Sequence, residues 1–127
     1  MNANELRVGN IFHYGNSPIQ EITINADILV SLLTNEGLLL IEKVFPIPLT
    51  EERLLKFGFN ESEVCKGLYD IKNGNVTISI SMDDTIVIDI SIYNTNITGA
   101  SIDISNHKYV HQLQNLYFAL TGEELNY

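Results

Sequence analysis

The sequence predicts an α+β fold: an N-terminal small bent β-sheet or barrel of SH3-like character, a short helix, and an antiparallel β-meander covered by a C-terminal amphipathic helix. Three observations predict it. The first 46 residues alternate short apolar and polar stretches broken by turn residues, "PLTEERLLKFGF" carries both ends of a helix, and even positions are apolar from Val76 to Met82 and isoleucine from Ile86 to Ile92. A period of two marks a strand with one buried face, and a period near 3.6 marks a helix.

In order along the chain, "LRVGNIFHYGNSPIQEITIN" reads as two strands interrupted at Gly9-Asn10 and at "GNSP", because these residues supply turn geometries at low cost. "DILVSLLTNEGLLLIEKV" reads as two apolar strands around Asn35-Glu36-Gly37, a hairpin with glycine in its loop. Four short strands in so little chain imply a strongly bent sheet. In "VFPIPLT", Pro46 and Pro48 each push the preceding residue out of the helical region. That stretch is therefore an extended connector.

The helix that follows is specified locally. Thr50 can cap it, Glu51 and Glu52 occupy the first turn where the helix dipole favours carboxylates, and Leu49 and Leu54 can form a hydrophobic staple. Gly58 and Phe59 can close it in a Schellman motif. Two turns are marginal alone, so burial of Leu54, Leu55, Phe57 and Phe59 is expected to hold it. The carboxylates read as architecture rather than chemistry.

In "YDIKNGNVTI", Asn73-Gly74 is a strong hairpin signal, and a two-residue turn there pairs Ile71 with Val76 and Tyr69 with Ile78. Even positions are apolar from Val76 to Met82 and again at Ile86, Ile88, Ile90 and Ile92. Only a loop of odd length matches even to even, so a three-residue turn at Met82-Asp83-Asp84 is predicted, with Asp84 near the left-handed region. Val87 interrupts the polar face. Ala100, Ile102 and Ile104 give one more strand after the polar "YNTNITGAS". The last segment carries Tyr109, Leu113, Leu116, Tyr117 and Leu120 at helical spacing, with Asn106 as cap and Gly122 as terminator. This stripe is expected on the isoleucine face of the sheet. His107, His111, Asn115 and Phe118 fall off it, and Phe118 marks them as a candidate interaction surface.

A length of 127 residues suits one compact domain, residues 1–127, with a β-rich part at 1–46 and a helix, meander and helix at 47–127. The net charge of -9 opposes phosphate backbones and anionic lipid. Nucleic acid is thus a poor partner, and a protein partner fits better. One cysteine, Cys65, closes no intramolecular disulfide. The polar start "MNANELRVGN" and the lack of a long apolar run point to the cytosol of a bacterial host rather than a membrane.

Two blocks, "IPLTEERLLKFGF" (47–59) and "YVHQLQNLYFALTGEEL" (109–125), resemble a family of small uncharacterised proteins from Bacteroidetes-type genomes, their prophages and phages. The resemblance covers roughly a quarter of the chain, and it implies a phage or prophage context without activity, cofactor or site residues.

Candidate chemistry is sparse. His107 and His111 lie four apart and could share an ion, but no third ligand follows from spacing. A solvated helix face is the plainer reading. His13 and Tyr14 read as a strand edge, and Asp83-Asp84 as turn residues rather than a cation site. Cys65 beside Lys66 could serve as a nucleophile with His13, His107 or His111 as base, an option the sequence leaves open without favouring it. No phosphate loop, dinucleotide fingerprint or nucleophile elbow occurs. The expectation is a non-enzymatic protein-binding or structural module with no catalytic residues, cofactor or metal. Its alternatives are an anti-defence protein that sequesters a small ligand or mimics acidic nucleic acid, and an SH3-like nucleic-acid-binding protein.

Overall fold

The computed structural model describes residues 6–15, 19–33, 43–83, 86–94, 101–103 and 108–127. It is an α+β protein with two antiparallel sheets and three helices among these residues. By contacts the chain divides into two compact units, Met1–Pro48 with Tyr109–Leu116, and Leu49–Lys108 with Tyr117–Tyr127.

In the first unit, β1 (Ile11–Tyr14) lies between β2 (Gln20–Thr23) and β3 (Val44–Phe45). Phe12 pairs with Ile22 and Tyr14 with both Gln20 and Val44, so the alternation read from the sequence sets the register. The segment "ADILVSLL" is not a strand. It forms α1 (Ala26–Leu33), which corrects the four-stranded SH3-like expectation: the described part of this sheet has three strands. The cause is local. The Asn25 side chain accepts a hydrogen bond from the Ile28 N–H at 2.8 Å, Asp27 stands in the first turn, and the Leu29 N–H donates to the Asn25 carbonyl at 2.9 Å. An N-cap and a dipole-matched acid outweigh β-branching in a short apolar run. Leu32 then buries against Leu6, Phe12, Ile24 and Val44. The hairpin expected around Asn35-Glu36-Gly37 lies outside the described residues.

In the second unit, α2 (Glu51–Lys56) behaves as its sequence dictates. Thr50 is its N-cap and accepts from the Arg53 N–H at 3.3 Å. At the other end Phe59 N–H donates to the Leu54 carbonyl at 3.0 Å and Gly58 N–H to that of Leu55 at 3.1 Å, the two bonds of a Schellman motif. Leu49, Leu54, Phe57 and Phe59 are buried, whereas Leu55 is 50% exposed, contrary to expectation. Leu55 follows Leu54 by one residue, about 100° around the helix, and so leaves the buried face.

The second sheet runs β4 (Asn60–Glu61), β5 (Leu68–Asn73), β6 (Val76–Asp83), β7 (Ile86–Asn94), β8 (Ser101–Asp103) in spatial order. The first hairpin turns at Gly74-Asn75 and pairs Asn73 with Val76, Ile71 with Ile78 and Tyr69 with Ile80. That is one residue later than predicted. A turn displaced by one residue moves each partner by two, which keeps apolar opposite apolar. Asn73 stays in the strand, where its amide donates to the Tyr117 hydroxyl at 3.1 Å and to Glu123 at 2.9 Å.

The second hairpin reaches its even-to-even match by another route. Ile78 pairs with Ile92 and Ile80 with Ile90, but the register shifts between Ser81 and Met82, so that Met82 faces Val87 and Asp83 faces Ile86. Met82 and Asp83 are therefore ladder residues rather than turn residues, and Asp84 lies outside the described set. A β-bulge at Ile88, not an odd loop, reconciles the two patterns. Val87 is 4% exposed and joins the isoleucine face, while Ile88 is 54% exposed.

The third helix, α3 (Val110–Thr121), starts where Val110 N–H donates to the Ile47 carbonyl at 2.8 Å. Residues through Leu116 group with the first unit and those from Tyr117 with the second. Its buried set is Val110, His111, Leu113, Gln114 and Tyr117, so the predicted stripe is rotated: Tyr109 and Leu120 are exposed. Asn106 lies outside the described residues. No described helix is long and apolar enough to cross a membrane.

Candidate functional site

The first unit holds a cavity of about 300 Å³ between α1 and its sheet. The sheet contributes Tyr14, Ile22 and Val44, one residue from each strand, because these positions alternate onto the helix-facing side. From α1 come Ile28 and Leu32, four residues apart and hence on one face. Asp27 and Ser31, also four apart and both exposed, form the polar rim. The Ser31 hydroxyl donates to the Asp27 carbonyl at 2.9 Å, which keeps it on its own helix. Among the described residues the walls are thus apolar, with the Asp27 carboxylate at the edge and no basic side chain in the lining.

His13 and Tyr14 are not on a strand edge, since β1 is central. His13 pairs across the ladder with Glu21 and Phe45, and Tyr14 is half-buried in the cavity wall.

The expected interaction surface around His111 is corrected. His111 is 1% exposed and stacks on Phe12 with ring centroids 4.7 Å apart. Asn115 belongs to a polar clamp inside the first unit: its side-chain oxygen accepts from Arg7 Nε at 3.1 Å and from Asn10 Nδ2 at 2.9 Å. Gln114, fully buried, accepts from the Ile11 N–H at 2.9 Å and donates to the Gly9 carbonyl at 3.0 Å. Gln114 faces inward because it satisfies the backbone of Gly9 and Ile11, and Asn115 because it joins the side chains of Arg7 and Asn10. Of the expected four, Phe118 is exposed at 39%, and His107 lies outside the described residues. One signal was present in the sequence. No Asp, Glu, Lys or Arg occurs between Lys108 and Glu123, whereas a solvated helix face normally carries charge.

The carboxylates of α2 have a structural task. The Tyr69 hydroxyl donates to Glu51, and burial, reinforced by Glu51 and Glu61, pushes its pKa up to about 12. Cys65 is exposed in the loop after β4, where its N–H and that of Val64 donate to the Ser62 hydroxyl at 3.2 and 3.3 Å. Asp83 ends β6 as a paired residue. Among the described residues, no group of three or more His, Cys, Asp or Glu is placed to hold a metal ion.

No protein-family model matches the chain, and no curated protein or solved structure is significantly similar to it.

Proposed function

We propose that the protein is a non-enzymatic protein-binding module, acting in a phage or prophage context in the bacterial cytosol, and that it takes an apolar side chain of its partner into the α1 cavity. The cavity carries this reading. An apolar hollow of about 300 Å³ is at the lower end of the range for binding pockets, and it is the size at which one bulky side chain serves as an anchor. The acidic net charge of -9 favours a basic partner and opposes nucleic acid. The volume also suits a second reading, sequestration of a small apolar ligand, which a thermal-shift panel of such compounds tests.

The experiment compares three baits in pull-downs from the native host: the wild type, Ser31→Trp and Phe118→Ser. Ser31→Trp sets an indole at the cavity rim without touching the core. Loss of one specific partner with Ser31→Trp, but not with Phe118→Ser, is the expected result. The reverse pattern refutes the cavity and moves the surface to the end of α3.

A further inference from the structure

The rim of the cavity has a chemistry of its own. Asp27 is exposed, lines the hollow, and has no basic side chain paired with it among the described residues. Its first-turn position explains why an acid stands there, but not why the adjoining walls, from Tyr14, Ile22, Ile28 and Val44, form an apolar recess rather than a filled core. The nearest lysine in sequence to a lining residue, Lys43, is exposed and does not itself line the cavity. Among the described residues, a group entering the recess therefore meets hydrocarbon in its depth and the Asp27 carboxylate at its mouth.

Resting on the protein-binding reading above, we infer that the partner segment presents a bulky apolar side chain with a lysine or arginine beside it: the apolar group fills the α1 cavity and the cation pairs with Asp27. Size sets the anchor. A cavity of about 150 Å³ holds benzene, and this one is about 300 Å³, so a phenyl, indole or branched alkyl group enters with room to spare. Charge sets the neighbour. An anion at the rim would meet Asp27 directly and the net charge of -9 at longer range.

Three small probes isolate the two claims: phenethylamine, its neutral counterpart ethylbenzene, and phenylpropionate, each titrated into 15N-labelled protein at low salt. Shifts confined to α1 and the strands β1, β2 and β3 that line the cavity are expected with all three, with phenethylamine binding about threefold tighter than ethylbenzene and phenylpropionate weakest, as suits an exposed ion pair. In Asp27→Asn the amine and the neutral probe should bind equally, and high salt should have the same effect. Equal affinities in the wild type overturn the basic neighbour while leaving the apolar anchor standing. Absence of any shift overturns the anchor, and the protein-binding reading with it. Shifts that appear only on dilution, with a matching change of mass in sedimentation, overturn the proposal by making a second copy of the chain the occupant.

Discussion

Gly67 is the position where one added methyl group should cost most for its size. It sits at φ +83°, and a Cβ there would lie 2.5 Å from the Met82 carbonyl oxygen. Met82 cannot retreat freely, because its N–H donates to the Gly67 carbonyl at 2.7 Å and it is paired with Val87 in β6. Alanine should lose about 1–2 kcal/mol to the left-handed backbone, and about 1 kcal/mol more as the Gly67–Met82 hydrogen bond opens. Gly58 is the control. It has a similar φ of +93° but nothing within 4 Å of its Cβ position, so Gly58→Ala should show the first cost alone. Asparagine separates the causes, since it tolerates the left-handed region but still carries a Cβ. Gly58→Asn should recover much of the loss, and Gly67→Asn should not. Urea titrations followed by far-UV circular dichroism give the ranking from the midpoints, provided the slopes agree. Equal losses for the two alanine variants, or recovery at 67 by asparagine, would refute the steric argument.

Three further outcomes follow from the structure. Tyr69 keeps its proton up to about pH 12 in the folded protein but only to 10.0 when unfolded, so stability should fall as pH rises between those values, and Tyr69→Phe should lessen that slope in alkaline denaturation; an unchanged slope counts against it. Gln114→Ala strands the Ile11 N–H and the Gly9 carbonyl, and thermal denaturation should register about 2–4 kcal/mol, whereas a loss below about 0.5 kcal/mol would mean water replaces the amide. Phe118→Ser, at a partly exposed site, should cost about 1 kcal/mol against about 2–5 for Leu113→Ala, which is fully buried; the opposite order in urea titrations would make Phe118 a core residue.

Legibility in the sequence followed the locality of the interactions. The helix at residues 50–59 was legible at both ends, because its cap and Schellman bonds join positions within ten residues of one another, although the exposure of Leu55 was not. The isoleucine ladder was legible as a pattern but not in its exact turns, since a slip of two in register conserves every apolar pair. The helix at Ala26–Leu33 was misread because eight apolar-rich residues satisfy either period, and the deciding feature was the single cap at Asn25. His111 and Asn115 were placed on an exposed face, and Gln114 was not singled out, because polarity alone cannot say whether a side chain binds water or a distant part of the chain. Their partners lie about a hundred positions away, at Arg7 to Phe12. The cavity was invisible for the same reason: its lining is drawn from four separate elements.

The irregularity at Ile88 means the meander contains a spare letter. Excising it would bring Val87 and Asp89 into simple alternation opposite Met82 and Ser81, leaving every side chain beyond it on its present side. Removing any single residue between Val76 and Ser81 instead would act as a frameshift in space, sending isoleucines outward and serines inward. A one-residue deletion in this hairpin is thus compatible with the sheet at one address and incompatible a few positions away.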